Sequence, residues 1–422
     1  MKKGLIIFSL ATLCVTSQAQ EGWTLRQCID YAIEHNIEIQ QTANEAEQNA
    51  IEVNTAKWAR LPNLSGSAGQ NWSWGRSQSP KDNTYSDVNS GSTQFGLNTN
   101  VPLFTGLQLP NQYALSKLNL KAAIEDLNKA KEDIAINVTS SYLQVLFNME
   151  LSKVAASQTE LSKEQCKRII RLAEVGKASS AEVAEAKARV AQDEMSLVQA
   201  ENNYQLALLD LSQLLELPTP EGFTLAQPDT VVNFVPLTAP DDIYTEALSN
   251  KPGIRAAQFR LEGSEKSIRI AQSNYYPQLS FGASIGTNFY TLNGSAEHSF
   301  GSQLKNNLNK GIGFNLSVPL FNRLATRNRV RSARLQQTNL ALQLDNTKKV
   351  LYKENSSMAA VTANEESFRL MSEKFNNGKA TFVEYNEAKQ NLTKSLSDKI
   401  QAKYDYLFRT KILDFYKGKA IE

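Results

Sequence analysis

Residues 279–289 read LSFGASIGTNF, a stretch in which mostly apolar residues alternate with Ser, Gly and Asn. Successive side chains of a β-strand point to opposite faces, so this period of two predicts a strand with one apolar and one small, polar face. Strands of roughly 9–11 residues are long enough to cross a bilayer when tilted. A soluble sheet would show the same alternation, so this stretch alone leaves both alternatives open.

Three further segments alternate in the same way, at residues 64–75, 95–103 and 312–320. The four segments form two pairs, and polar stretches at 76–92 and 291–310, typical of external loops, separate the members of each pair. Four strands cannot close a barrel, and open sheet edges are not tolerated in lipid. If the strands cross a membrane, one chain must therefore supply only part of a barrel shared by several copies.

Long segments without Gly or Pro surround these strands, and single glycines, Gly176 and Gly378, interrupt them. The segments are 111–175, 177–217, 322–377 and 379–417. Apolar residues in 183–214 recur at steps of three and four, broken at Asp193, which is coiled-coil spacing. We expect two helical hairpins that turn at the two glycines. At about 1.5 Å per residue, the longer arms would reach roughly 85–100 Å.

The two halves of the chain resemble each other. LPNLS at 61–65 matches YPQLS at 276–280, VPLF recurs at 101–104 and 318–321, and GKA recurs at 176–178 and 378–380. Ordered recurrence predicts tandem repeats. The predicted organisation is a signal peptide at 1–19, a first repeat at 20–217, a Pro-rich linker at 218–240, a second repeat at 241–417 and a tail at 418–422.

The beginning of the sequence carries a secretory signal: Lys2 and Lys3 precede an apolar run, and SQA at 17–19 precedes Gln20. No later stretch has the roughly 18–20 consecutive apolar residues of a membrane helix. Without the two lysines, 43 basic residues balance 43 acidic ones, which does not favour nucleic acid as a partner. His35 and His298 are too few for a metal or catalytic cluster, and we expect no cofactor.

Cys28 and Cys166 remain after the predicted cleavage, in a compartment that permits disulfides. Cys166 lies ten residues before Gly176, about 15 Å from the predicted turn by helical rise, whereas Cys28 begins a helix near the start of the chain. We expect both cysteines to be free, because the layout puts them far apart.

These motifs, in this order and twice in one chain, resemble the TolC-like outer-membrane efflux family over essentially the whole mature sequence. WTLRQCI at 23–29 and WGRS at 74–77 look like its Bacteroidota-type members. The resemblance implies a homotrimer whose chains give four strands each to a 12-stranded β-barrel in outer-membrane lipid, continuing into an α-helical tunnel across the periplasm. It further implies a passive efflux or secretion channel with no enzymatic activity, which works with a periplasmic adaptor and an inner-membrane pump.

In that family, acidic residues just past the second hairpin turn form a ring at the periplasmic aperture. By spacing from Gly378 they fall on Glu384 and Glu387, three residues apart and therefore on one helix face. Three copies would concentrate negative charge and attract cations. The alternative is that both are solvated surface glutamates. Some relatives lock the aperture with an Arg two residues after this glycine, where this chain has Ala380.

Two other functions compete with the channel. A periplasmic adaptor also carries a long coiled-coil hairpin, but only one, flanked by soluble β-domains. A secreted hydrolase would need a nucleophile elbow or metal-ligand spacing, and the sequence shows neither. A basic cluster fits either a membrane-interface role or an ordinary solvated helix face; its members are Arg323, Arg327, Arg329, Arg331 and Arg334.

Overall fold

The computed structural model describes residues 22–78, 84–87, 89–218, 222–226, 248–292, 296, 298–359, 400–401, 403–404, 407–408 and 410–412. Most of this part is helical. The helices are α1 Leu25–His35, α2 Ile37–Trp58, α3 Gln108–Glu174, α4 Ser180–Leu214, α5 Pro252–Ser273, α6 Phe300–Asn306 and α7 Ala325–Ala359. The strands are β1 Asn63–Ser73, β2 Arg76–Gln78, β3 Tyr85–Asp87, β4 Ser90–Phe104, β5 Gln278–Leu292 and β6 Asn309–Ser317.

Four strands form one antiparallel sheet in the order β1-β4-β5-β6, and β2 and β3 form a separate two-stranded ribbon. The β1–β4 pair and the β5–β6 pair each lie within one half of the sequence. The β4–β5 pair joins the halves over a ladder that runs from Ser90 opposite Leu292 to Phe104 opposite Leu279. The prediction of four alternating strands is confirmed, and β1 and β6 are the two edges.

The strand ends differ from the prediction. β4 and β5 are each 15 residues long, rather than 9–11. Residues 90–94 extend β4 by pairing with both β1 and β5, and β5 continues to Leu292 opposite Ser90. β6 ends at Ser317, two residues before Pro319, which has no N–H to donate to a ladder. The expected polar loops also contain regular structure, namely the β2–β3 ribbon and the short helix α6.

The two long helices of the first hairpin are present, and α7 covers residues 325–359 of the third predicted segment; the turn at Gly378 and most of the fourth segment lie outside the described residues. α3 has 67 residues, which corresponds to about 100 Å at 1.5 Å per residue. It starts at Gln108, before the predicted Asn111, and accommodates Pro110 in its first turn, where backbone N–H groups lack helical partners in any case. No helix among the described residues is both long and apolar enough to cross a membrane.

The first helical segment of the chain is interrupted at Asn36, between α1 and α2. This residue has extended backbone angles, φ −63° and ψ 129°. Its side-chain oxygen accepts the N–H groups of Glu38 at 3.0 Å and Ile39 at 3.2 Å. Asn36 thus ends α1 and caps α2, the role that short polar side chains commonly take before a helix.

The chain divides into two compact units. The first contains residues 1–41, 129–251 and 350–422, and the second contains residues 42–128 and 252–349. In the first unit, Trp23 pairs with Leu225, and the Tyr142 O–H donates to the carbonyl oxygen of Ala226 at 3.0 Å. In this way α3 holds together segments that are far apart in sequence.

The second unit contains the four-stranded sheet and the helical segments next to it. Two ion pairs connect α5 to α3: Arg255 contacts Glu125 at 2.8 Å, and Arg260 contacts Asp126. Gly106 lies after β4 with φ +63°, and a Cβ there would be 2.5 Å from the backbone oxygen of Ser273. The chain just after β4 and the end of α5 are therefore so close that there is no room for a side chain at Gly106.

Cys28 and Cys166 are both buried free thiols. Burial raises the pKa of Cys28 from 9.0 to about 12. The thiol therefore stays protonated in the folded chain, and its stabilising contribution is complete below about pH 9 and is lost as the pH rises through about 12.

We expect Cys28 in the folded protein to react with iodoacetamide at pH 8 at least tenfold more slowly than after unfolding in urea, because the thiolate is the nucleophile and the site is closed. The measurement is alkylation followed by peptide mass spectrometry, with Cys166→Ala removing the second thiol. Equal rates in the folded and unfolded protein would contradict the described burial.

Candidate functional site

One face of the four-stranded sheet is apolar. The register places mostly apolar residues side by side in rows: Val101, Phe281 and Phe314 form one row, and Leu64, Thr99, Ala283 and Ile312 form the next. The row after that consists of Gly66, Leu97 and Ile285 and ends on β6 with the charged Lys310. On β6 the exposed fractions are 81% for Ile312, 73% for Phe314 and 62% for Leu316. Such a broad exposed apolar surface is unusual on a soluble chain and is suited to contact with lipid or another apolar surface.

The opposite face is small, polar and uncharged in its central rows. One row consists of Ser65, Asn98, Ser284 and Gly311, and the next of Ser67, Gly96, Gly286 and Asn309. These side chains offer neutral hydrogen-bonding groups, and at the glycines no side chain projects from the sheet. The central rows contain serine hydroxyls but no charged side chain, and the face is suited to contact with water.

The two edges of the sheet are open among the described residues, because β1 pairs only with β4 and β6 pairs only with β5. An edge strand leaves a row of backbone N–H and C=O groups without ladder partners. β1 and β6 run in opposite directions, as the four strands alternate in direction.

The first hairpin turn lies between α3 and α4. Gly176 has φ +74°, a left-handed conformation that glycine adopts without strain, and no atom lies within 4 Å of a Cβ built there. The N–H of Gly176 donates to the carbonyl oxygen of Ala173 at 3.0 Å, and that of Lys177 donates to Leu172 at 2.8 Å. These bonds close the end of α3.

A capping box begins α4 directly after this turn. The Ser179 hydroxyl accepts the N–H of Glu182 at 3.2 Å, while a Glu182 carboxylate oxygen accepts the backbone N–H of Ser179 at 2.6 Å. That backbone hydrogen bond, with a second from the Ser179 hydroxyl, lowers the pKa of Glu182. The Ser-x-x-Glu spacing at 179–182 is the sequence signal from which this role could have been predicted.

Asp193, the interruption of the coiled-coil seam, is buried in the α3–α4 hairpin with 8% exposure. Ser162 donates its hydroxyl to the Asp193 carboxylate, and Thr159 donates to the Asp193 backbone oxygen at 3.1 Å. Arg189 lies 3.8 Å from the second carboxylate oxygen. Asp193 is therefore hydrogen-bonded to residues of α3 on the other side of the hairpin. The spacing of apolar residues along one helix does not reveal these partners.

The remaining predicted site residues, Gly378, Glu384 and Glu387, lie outside the described residues. Within the described part, no group of three or more His, Cys, Asp or Glu side chains is placed to hold a metal ion.

Comparison with known proteins favours the channel over the adaptor and the hydrolase. The sequence model of a family described as "outer membrane efflux protein" matches residues 28–216 and 243–416. Outer membrane protein TolC of Escherichia coli is 22% identical, over 96% of this chain and 84% of TolC. The pyoverdine export outer membrane protein OpmQ of Pseudomonas aeruginosa is 26% identical over 56% of this chain.

Coverage differs between these relatives. The match spans 47% of OpmQ and 44% of an uncharacterized protein of Haemophilus influenzae, about half of their length. Solved structures share the fold more completely. CusC superposes with a TM-score of 0.78 at 16% identity, over 94% of this chain and 92% of CusC. The Campylobacter jejuni channel CmeC gives 0.74 at 20% identity, over 93% of this chain and 85% of CmeC.

Proposed function

The chain belongs to the outer membrane efflux protein family, and from this premise we propose that it is a channel subunit providing a passive exit duct of an efflux or secretion system. The protein is located in the outer membrane and extends into the periplasm. The observation that carries the proposal is the two-faced sheet, apolar on one side and neutral and polar on the other, with two edges that are open in the described part of the chain. Its polarity suits a wall between lipid and water.

We propose that three copies close a 12-stranded barrel. The supporting geometry is that β1 and β6 are open, antiparallel edges, so β1 of one copy can pair with β6 of the next in the sense of the existing ladders. A sheet in lipid must close, since unpaired backbone groups are costly there. We also propose that the chain consists of two tandem repeats, at 20–217 and 241–417. The trimer would work with a periplasmic adaptor and an inner-membrane pump.

The test is to fractionate cells that express the protein at native level and to measure the native mass after mild detergent extraction. We expect it in outer membranes as a trimer. Deleting the gene should cause the exported compound to accumulate in the cell. A soluble periplasmic monomer would overturn the proposed function.

For the periplasmic aperture we propose the carboxylates of Glu384 and Glu387. Their first-repeat counterparts by sequence are Glu182 and Glu185. Since Glu182 is engaged by Ser179, the Thr-x-x-Glu spacing at 381–384 predicts that Glu384 caps its own helix in the same way. Glu387 would then have its carboxylate available to attract cations.

Replacing Glu384 and Glu387 together with Gln should weaken cation selectivity in planar-bilayer recordings and relieve block by trivalent cations, because the ring charge is removed. The single change Glu387→Gln should have the larger share of the effect. The matched control is Glu182→Gln with Glu185→Gln, which should leave selectivity unchanged. If the variant carrying both Glu384→Gln and Glu387→Gln kept its cation selectivity, the aperture assignment would be wrong and both residues would be ordinary surface charges.

A further inference from the structure

A polar cavity lies in the second unit, where the polar face of the sheet ends and α7 begins. Its volume is about 210 Å³, which is room for a small ion together with several water molecules. The polar residues of its wall are Asn274, Gln278, Ser317, Asn322, Thr326 and Arg329. None of the lining residues is acidic, so the wall itself contains no carboxylate to balance its arginine.

The cavity lies on the side of the sheet that meets water under the proposed function. Gln278 pairs with Ser317 across β5 and β6, and both residues are exposed. They continue the polar face one row beyond Ser280 and Asn315. The rows of the polar face from there to Gly286 contain no charged side chain. Ions dissolved in the duct, rather than lipids, therefore have access to the cavity.

Arg329 supplies the positive charge of the cavity and is exposed. Arg255 and Arg260 of α5 each contact an acidic residue of α3, whereas Arg329 has no acidic partner in the part of the chain that the structure describes. The first acidic residue of α7 is Asp345, so the charge around Arg329 is positive over about five turns. A guanidinium presents a planar fork of N–H donors, which fits the oxygens of phosphate, sulfate or carboxylate.

Thr326 adds a buried hydrogen-bond donor to the cavity wall, since the residue is only 2% exposed. Its Oγ1 accepts an N–H of the Asn322 side-chain amide. The hydroxyl proton is left to donate, and it has no acceptor among the described residues. A buried donor without an acceptor costs free energy, and a ligand oxygen in the cavity would remove this cost.

Side-chain amides complete the wall. Gln278 forms no hydrogen bond through its side chain in the described part of the chain, so its N–H groups are available to a ligand. Asn274 instead donates its amide nitrogen to the backbone oxygens of Ile270 and Ala271, at 3.5 and 3.3 Å, and keeps only its oxygen for the cavity. That oxygen can accept from water or from a protonated ligand oxygen. The other polar side chains of the wall can all donate, as an anion requires.

The equivalent place in the first half of the chain lacks these groups. Counting from the VPLF that each half contains, Leu109 takes the position of Thr326, and Gln112 takes the position of Arg329. The second half alone thus combines a buried hydroxyl with a cation at this point. The chain therefore supplies the substitution that removes the charge and keeps a side chain already used at the matching place.

We propose that the cavity binds one small oxyanion, such as inorganic phosphate, sulfate or the carboxylate of a solute, between the Arg329 guanidinium and the Thr326 hydroxyl. The proposal rests on the proposed function, because it needs the polar face to meet water in the duct. An anionic solute that moves along the neutral rows of the sheet would be held briefly at their end nearest α7. The exit duct thus gains an anion-binding site that its neutral rows do not offer.

Isothermal titration calorimetry of the detergent-extracted protein with inorganic phosphate tests the site, with sulfate and chloride at equal ionic strength as comparison ions. We expect phosphate and sulfate to bind once per chain and chloride at least tenfold more weakly, because chloride offers no set of oxygens to the planar donors. Arg329→Gln, which introduces the residue of the first half, should weaken phosphate binding at least tenfold. Thr326→Val, which keeps the shape of the side chain, should weaken it severalfold.

The matched control is Arg331→Gln. Arg331 is also exposed and lies on the same helix, but it does not line the cavity and points about 200° away from Arg329. The phosphate affinity of this variant should stay within twofold of that of the unmodified protein. Equal losses at both arginines would show a general attraction to a basic helix and overturn the site, as would unchanged binding in Arg329→Gln.

The oligomeric state separates failure of the site from failure of the proposed function. Arg329→Gln should still be recovered from outer membranes as a trimer, because exposed substitutions are usually mild. Arg329→Lys keeps the charge but not the fork of donors, and it should bind phosphate with an intermediate affinity. An unmodified trimer that binds neither phosphate nor sulfate would refute the site and leave the channel intact. Absence of a trimer in the unmodified protein would instead refute the proposed function.

Discussion

Phe314→Arg is expected to prevent most of the protein from folding into the outer membrane. Phe314 lies on the apolar face of β6, is 73% exposed and contacts Phe281 with ring centroids 5.3 Å apart. If this face meets lipid, a guanidinium there costs about 2–4 kcal/mol near the bilayer midplane. That cost is on the order of 30- to 700-fold in the folding equilibrium. The measurement is urea-dependent folding into lipid vesicles, followed by tryptophan fluorescence.

The neighbouring residue supplies the control. Asn315 is next to Phe314 on β6 but points to the polar face, where its row contains Ser280. We expect Asn315→Arg to fold with little loss of stability, because its charge can remain in water. If the two variants were equally destabilised, or if only Asn315→Arg were, the assignment of the apolar face to lipid would be wrong.

Gly106→Ala is expected to destabilise the sheet-containing unit by about 3 kcal/mol or more. A side chain there meets two separate penalties. The φ of +63° costs a non-glycine residue roughly 1–2 kcal/mol, and the new Cβ would lie 2.5 Å from a backbone oxygen at Ser273, which cannot move aside as a flexible side chain could. The measurement is the free energy of unfolding in urea, compared with the unmodified protein.

Gly176→Ala separates these two penalties. Gly176 has a similar φ of +74°, but no atom lies within 4 Å of the added Cβ. It should therefore lose only the roughly 1–2 kcal/mol of the left-handed conformation. Equal losses at both positions would show that the close approach of β4 and α5 is absent in the folded protein.

The strands and their faces could be predicted from the sequence because alternation is a local property. The apolar sets within 64–72, 95–101, 279–289 and 312–316 do share one face of one sheet. The strand ends could not be predicted, because they depend on pairing: residues 90–94 of β4 pair with both β1 and β5, and β5 reaches Leu292 by pairing with β4. Nothing in the local residues 90–94 specifies these partners.

Helices could be predicted from segments that lack Gly and Pro. This rule failed where a different residue ends a helix. Asn36 ends α1 without either residue, by bonding the first N–H groups of α2. Contacts between distant segments were also beyond local reasoning. The Lys403 ammonium and Tyr404 hydroxyl both donate to the Glu150 carboxylate, at 2.9 and 2.8 Å, and only the tertiary fold brings these residues together.

The order of the strands has a consequence for how the protein folds. The β1–β4 hairpin pairs residues such as Trp72 and Gly91, which are close in sequence, whereas the Thr291 hydroxyl donates to the Gly91 oxygen across a separation of 200 residues. Contacts of such high contact order form slowly, because a long loop must close first. The first hairpin must therefore wait, with its apolar face uncovered, until β5 has been synthesised and exported. In that interval it is prone to aggregate, so a holding chaperone should be needed most by chains truncated before Gln278.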